Sequence, residues 1–574
     1  MIPSRADHLQ PASAFSFPDP KVMGGRARFV QRACEIVPGT LTWATIIGMF
    51  VGSWLVPIWA AVFVIVFDIY WIYLTVYVAF FSTLAYRNLR KGMRVNWWER
   101  VVRVKNPGAY RSELLDRANH LSLMLKEERL SFRERRIVRK ERRALERYAK
   151  ELKSLEKIQE KILDYRDTIH VVLLPTANEG PEIIEPALQS IADSSFPKSQ
   201  IIILLATEER EPEATRLPKV SYLEKKFQGV FRDFLVTTHE VAAGEMKCKA
   251  SNAGYAARKL MVYLDERGID YTRVVFSNFD CDSVAHPEYF SALTYAYITD
   301  PKRLQRAYQP LPMYHNNLWD TNAFVRVMVT GSSFWHMYQS TRKDMVTFSS
   351  HSEPFDTLVR VNFWPVNMIS EDSVIYWKAL SYFHGDYKVT PILLPISLDA
   401  VLAETYWKTL KNEYKQKRRW AYGIENFPVT MRAIWPDRLM PLWKKVRVTI
   451  EMIEGHYSWA TAPLILALLG WLPLFLGGPA FNESVLAHNL PFVTRILMTL
   501  AMGGLVIFMF LSFLMLPPRP EKYGPMRNVL MFAQWFLAPV IALLGAIPAI
   551  DSQTRILLKK YFGEFWVTEK IRRK

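Results

Sequence analysis

Residues 41–85 are almost wholly apolar, broken by Pro57 and one acid, Asp68, and three further apolar runs, 457–476, 496–516 and 528–550, lie near the other end of the chain. Forty-five residues make two membrane spans of about twenty, joined near Pro57. The roughly 370 residues between the two groups hold no segment long and apolar enough to cross a bilayer. A chain laid out in this way folds as a soluble domain hung from a membrane anchor. Half of the 574 residues are hydrophobic while 22% are charged, which excludes a disordered chain and requires the two kinds to be segregated.

Lys and Arg outnumber Asp and Glu by 73 to 55, a balance that suits the anionic cytoplasmic face of a membrane. Residues 1–40 carry Arg5, Lys21, Arg26, Arg28 and Arg32 and read as a cytoplasmic tail. Residues 41–86 then hold the two spans, followed by Arg87, Arg90, Lys91 and Arg94, whereas 477–494 has no Lys or Arg. Basic flanks stay inside, so the middle domain faces the cytoplasm of the cell membrane and 477–494 faces outward. The basic loop 517–527 and the basic tail 551–574 conflict with three crossings after the domain. Pro539 and Pro548 interrupt the last run of the 457–550 group, which points to a re-entrant hairpin that enters and leaves on one face. Residues 427–456 read as helices at the membrane interface. Cys34, Cys248 and Cys281 are too few and too scattered for a disulfide framework or a structural zinc site.

Within 87–168, residues 126–167 hold fifteen basic and ten acidic residues, with Leu145, Tyr148, Leu152, Leu155 and Ile162 near heptad spacing. The pattern predicts a helical hairpin, either a dock for anionic lipid or an accessory subunit, or a solvated spacer packed on the domain. Its mixed signs lack the aromatic interleaving that stacking on bases requires, which argues against nucleic acid.

From 169 to 426 short β-rich runs alternate with helical patterns. Strands are predicted at 170–175, 200–206, 234–238 and 273–277, and helices at Pro181–Ala192 and 249–267. Such alternation predicts an α/β fold with a mostly parallel sheet and ligands at the carboxyl ends of its strands. Polar signals fall at those ends. In an extended segment Asp280 and Asp282 point the same way and can face one divalent cation and the phosphates it bridges, although Asp is common in any loop after a strand. Lys247 and Lys249 open a helix whose free N–H groups suit a diphosphate, or else are solvated surface charges. Glu371-Asp372 opens another helix, where acids also serve as dipole partners. Gln416, Arg419 and Trp420 place an amide, a cation and an indole within five residues, a set that reads phosphate and stacks on sugar, or lies on a membrane surface.

As an ordered set these residues resemble the membrane-integrated family-2 glycosyltransferases of the cellulose-synthase and hyaluronan-synthase type. The matches are Pro175/Asn178/Glu179, Glu208, Lys249-Ala250-Ser251-Asn252, Asp280/Asp282, Glu371/Asp372 and Gln416/Arg419/Trp420. The closing stretch Trp566-Val567-Thr568-Glu569-Lys570 looks like the tail that some members carry after their last membrane segment. The family's acid after the second strand is usually Asp, where this chain has Glu208 and Glu209, and the synthases' late Phe-x-Val-Thr gating segment is not located.

The resemblance implies a GT-A fold and inverting transfer of a sugar from a nucleotide diphosphate sugar, mostly a UDP-sugar, to a growing polysaccharide. The alternatives are single transfer to a lipid-linked acceptor or an inactive membrane scaffold. By the same resemblance Asp282 with Asp280 would hold Mg²⁺ or Mn²⁺, and Asp372 would be the base. Thr176, Glu179, Glu208, Lys249 and Asp280 would bind the donor, and Gln416, Arg419 and Trp420 the diphosphate or acceptor. Gln309, Asn317, Trp319, Asp320 and Phe348-Ser349-Ser350-His351 fall where acceptor-side loops belong.

Overall fold

A computed structural model describes residues 24–127, 130–242, 244–563 and 571–572. The earlier part of the expected tail, and the 566–570 motif, lie outside the described residues.

The domain is built on eight strands: β1 (Ile169–Pro175), β2 (Ile201–Glu208), β3 (Asp233–His239), β4 (Val274–Asn278), β5 (Val284–Ala285), β6 (Arg306–Met313), β7 (His351–Pro354) and β8 (Lys388–Ser397). They form one sheet in the order β3-β2-β1-β4-β7-β6-β8-β5. Val171 to Leu174 and Ile201 to Ala206 are unbroken apolar runs because β1 and β2 are buried on both faces. Helices Pro181–Ala192 and Tyr289–Thr299 cover one face, Lys249–Glu266 and Glu371–Tyr382 the other.

The expectation of a mostly parallel sheet holds for β3-β2-β1-β4 but not beyond. There β4–β7, β7–β6 and β8–β5 are antiparallel and only β6–β8 is parallel. The second half is hard to read from sequence because Pro310, Pro312, Pro391 and Pro395 interrupt β6 and β8, and a register shift lies between Gln309 and Leu311.

Residues 97–156 form helix Trp97–Arg103 and the expected hairpin, Pro107–Glu127 with Phe132–Glu156, the latter opened by a Ser131/Glu134 capping box. Its base packs on the domain. Tyr148, Ala149 and Leu152 are buried, the Arg100 guanidinium lies 3.5 Å from the Tyr148 ring centroid, and Tyr295 donates to Glu151 at 2.8 Å.

Among the described residues four helices are long and apolar enough to cross a membrane: Gly25–Leu55, Pro57–Gly92, Val485–Met515 and Met526–Leu557. A fifth is formed if Leu442–Ala467 and Leu469–Leu476, bent by 49°, count as one. Residues 25–40 are thus helix rather than tail, anchored where Arg32 donates to the Ile556 carbonyl at 2.9 Å and Tyr561 to Glu35 at 2.7 Å. Part of the expected interface region runs unbroken through 456 into the following apolar run. The last run makes no hairpin, since Pro539 sits in the first turn of Ala538–Leu557 and Pro548 is accommodated within it. Its flanks nevertheless both touch the domain. Lys522 pairs with Asp320 at 2.9 Å, Arg527 donates to the Trp319 carbonyl at 3.1 Å, and Arg572 reaches Asp399 at 2.9 Å. At Gly504 an added Cβ would stand 2.3 Å from the Thr75 methyl, so these two helices cross too closely for any larger residue.

Glu353 on β7 is fully buried, no cation pairs with it among the described residues, and burial pushes its carboxyl from an ordinary 4.5 up to about 8 despite the Tyr387 hydroxyl beside it. The folded state therefore holds a proton that the unfolded chain releases, and stability present below about pH 4.5 is lost as pH rises through about 8. Glu353→Gln removes that titration. In thermal melts the variant should gain on the parent by more than about 1 kcal/mol between pH 5 and 9; a constant difference across that range would contradict the account.

Candidate active site

The acid after β4 and the acid pair that opens helix Glu371–Tyr382 gather around one ammonium. Lys249 is the first residue of helix Lys249–Glu266, and Glu371 and Asp372 are the first two of Glu371–Tyr382. Lys249 Nζ lies 2.8 Å from Asp280 Oδ1, 3.3 Å from Glu371 Oε1 and 3.3 Å from Asp372 Oδ1. Ser349 donates to the other Asp280 oxygen at 2.5 Å, and Gln309 holds that loop, accepting from the Phe348 N–H at 2.7 Å and donating to the Ser349 carbonyl at 3.1 Å. His351 Nδ1 donates to the Phe348 carbonyl at 2.9 Å and lies 3.8 Å from Asp372 Oδ1.

Three carboxylates against one ammonium carry excess negative charge. Burial alone would lower the Lys249 pKa, but Asp280, Asp372 and Glu371 outweigh it and hold the ammonium well above its ordinary value. Burial and then the adjacent Asp372 push the Glu371 carboxyl up to about 7, offset in part by Lys249 and Arg419. Arg419 lies on helix Tyr406–Ala421. On that helix Gln416 is buried, and the Lys417 ammonium sits 4.0 Å from the Trp420 ring centroid, with Tyr314 at 6.3 Å on Trp420.

Asp280 and Asp282 do not share an extended segment as the alternation argument assumed. Residues 280–283 form a turn closed by the Ser283 N–H on the Asp280 carbonyl at 2.9 Å. Asp280 meets Lys249, while Asp282, with no exposed surface, accepts from the Asp399 N–H at 2.7 Å. Among the described residues no group of three His, Cys, Asp or Glu side chains is arranged to hold a metal ion.

A second cluster lies at the ends of β1 and β2. Thr176 and Glu208 are buried there, Arg210 donates to Glu208 at 3.0 Å, and burial raises the Glu208 carboxyl. Glu179 turns back on its own loop, accepting from the Ala177 and Asn178 N–H groups at 2.8 and 3.1 Å. Buried Lys219 holds this loop to Glu211: it lies 2.7 Å from both Glu211 oxygens and 3.1 Å from the Glu179 carbonyl. Sequence reading missed Lys219 and Glu211, neither of which sits in a motif. Asn317 is engaged with the Ala400 backbone at 2.7 and 2.8 Å, and Trp319 and Asp320 bind the 517–527 loop.

No protein-family model matches the chain, and no curated protein does. Among solved structures the chain is similar to the mannosyltransferase PcManGT from Pyrobaculum calidifontis in complex with GDP-Man and Mn²⁺, at 16% identity over 65% of this chain and 86% of that one, with a TM-score of 0.37. It is also similar to S. aureus TarS 1–349, at 12% identity over 68% and 91% of the two chains with a TM-score of 0.29. For the same segment in complex with UDP-GlcNAc the values are 10%, 70%, 93% and 0.30.

Proposed function

We propose that the chain is a membrane-bound inverting glycosyltransferase that moves a sugar from a nucleotide diphosphate sugar to a growing polysaccharide. One observation carries this reading: the motif residues Asp280, Glu371 and Asp372, far apart in sequence, converge on Lys249 at the carboxyl ends of the central strands.

Asp372 accepts the proton of an acceptor hydroxyl as its oxygen bonds to the anomeric carbon. The bond from that carbon to the diphosphate breaks on the opposite face, and the nucleoside diphosphate leaves with the electron pair. Lys249 and Arg419 hold the diphosphate, Glu208 and Thr176 face the nucleoside, and Gln416 with Trp420 seats the acceptor's terminal sugar. The oxygen-only donor set, with more carboxylates than cations, suits Mg²⁺ or Mn²⁺, and Asp280 and Asp282 would hold it. When bound, such an ion neutralises charge on the leaving diphosphate. With an α-linked donor, NMR of the product should show a β linkage and gel filtration a ladder of lengths. A retained α linkage would overturn inversion, and single-sugar products on lipid would overturn polymerisation.

The contacts of both flanks of the last helix with the domain support four crossings, at 25–55, 57–92, 442–476 and 485–515, with 526–557 lying along the cytoplasmic side beside the domain. A cysteine at exposed Glu483 should then react with an impermeant thiol reagent outside intact cells and one at Lys522 should not. The reverse labelling would overturn this topology.

A further inference from the structure

The helix that presents Glu371 and Asp372 lacks an ordinary N-cap. Ser370 occupies that position without a side-chain bond to its own helix. A residue some fifty positions on instead holds the backbone just ahead of the helix. Glu425 Oε1 accepts from the Ile369 and Ser370 N–H groups, both at 2.8 Å, and lies 2.7 Å from Ser370 Oγ. Asn426 continues the joint, 2.9 Å from Ser370 Oγ through Oδ1 and donating to Ser373 Oγ at 2.8 Å. Glu425 closes the short 3₁₀ turn Tyr422–Glu425, which follows directly on helix Tyr406–Ala421 with Gln416, Arg419 and Trp420. A single carboxylate thus ties the segment that carries the acid pair to the segment that carries the Gln-x-x-Arg-Trp residues.

The choice of a carboxylate is costly for folding alone. Glu425 is 2% exposed, and among the described residues no cation pairs with it. Burial pushes its carboxyl up to about 7, while the bonds from Ser370 and Ile369 pull the other way. An apolar side chain would avoid that desolvation, but it would leave two backbone N–H groups at the entrance to the Asp372 helix without an acceptor.

We infer that Glu425 is a positioning residue, which fixes the place of Asp372 relative to Arg419 and Trp420 and so sets the geometry between base and acceptor. The inference rests on reading Asp372 as the base. It is a statement about geometry transmitted through one joint, not about a group that touches substrate.

The test compares the parent, Glu425→Gln and Glu425→Ala in the full-length protein, with turnover of a nucleotide sugar, nucleoside diphosphate affinity, and amide hydrogen exchange of the peptide spanning 366–374. Glu425→Ala should exchange at least about tenfold faster at 369–370 and lose about tenfold or more in kcat, with donor KM and nucleoside diphosphate affinity within about twofold. Glu425→Gln keeps an acceptor oxygen and should recover most of both losses. Faster exchange with unchanged kcat would reduce Glu425 to a structural role, and unchanged exchange would show that the joint does not exist, either of which overturns the inference. A full effect of Glu425→Ala on kcat beside a fully active Asp372→Asn would instead overturn Asp372 as the base.

Discussion

Asp372→Asn should lower sugar transfer by about 10²-fold or more while nucleoside diphosphate affinity stays within about twofold. The amide keeps the size of the side chain and can still accept from Lys249, 3.3 Å away, but it cannot take a proton from an acceptor hydroxyl at neutral pH. Glu371→Gln should be milder, because that carboxyl is already pushed up to about 7 by burial and by Asp372. If both acids served only the dipole of helix Glu371–Tyr382, each change would cost no more than about 1 kcal/mol of stability and leave turnover intact. Parallel assays of turnover and affinity in the two variants separate these outcomes, and a fully active Asp372→Asn protein would mean that the base lies elsewhere.

Lys249→Met should be the more damaging change for donor binding. It leaves Asp280, Glu371 and Asp372 facing each other without the ammonium that now lies within 3.3 Å of all three. A diphosphate brought to that cluster meets uncompensated like charge, so nucleoside diphosphate affinity should fall at least about tenfold, ~1.4 kcal/mol, and transfer should fall with it. Lys249→Arg should not restore activity, because the planar guanidinium fork cannot replace a compact point charge among three carboxylates. Calorimetric titration with a nucleoside diphosphate checks this, and undiminished affinity in Lys249→Met would remove Lys249 from the donor site.

The parts of the fold that the sequence made legible are those where burial writes a long apolar run. β1 to β4 were predicted to within one or two residues, as were helices Pro181–Ala192 and Lys249–Glu266. β5 to β8 were not, because two are very short and two carry prolines that mimic turns. The turn at 280–283 escaped for a related reason: alternation arguments presuppose an extended backbone, and here the chain bends between the two acids. Outside the domain hydropathy located the apolar runs, but only tertiary contacts, such as Arg572 on Asp399, show what lies beside the domain.

At the site, residue types in order were enough to select Lys249, Asp280, Glu371 and Asp372, which the fold does bring together. Lys219 with Glu211 and Glu425 with Ser370 were invisible because each joins segments through long-range packing with no local pattern. The residues Phe565-Trp566-Val567-Thr568 spell the Phe-x-Val-Thr pattern and overlap the 566–570 stretch read as a tail; they lie outside the described residues.

The central claim is that the cluster around Lys249 transfers sugar. Its most direct test is release of nucleoside diphosphate by the purified, detergent-solubilised protein from a panel of nucleotide sugars with Mg²⁺ or Mn²⁺, in the presence of membrane lipid and free oligosaccharides. The same panel is run on Asp372→Asn. The account predicts that at least one donor gives release with the parent protein and about 10²-fold less with the variant. No release from any donor, or equal release from both proteins, would contradict it.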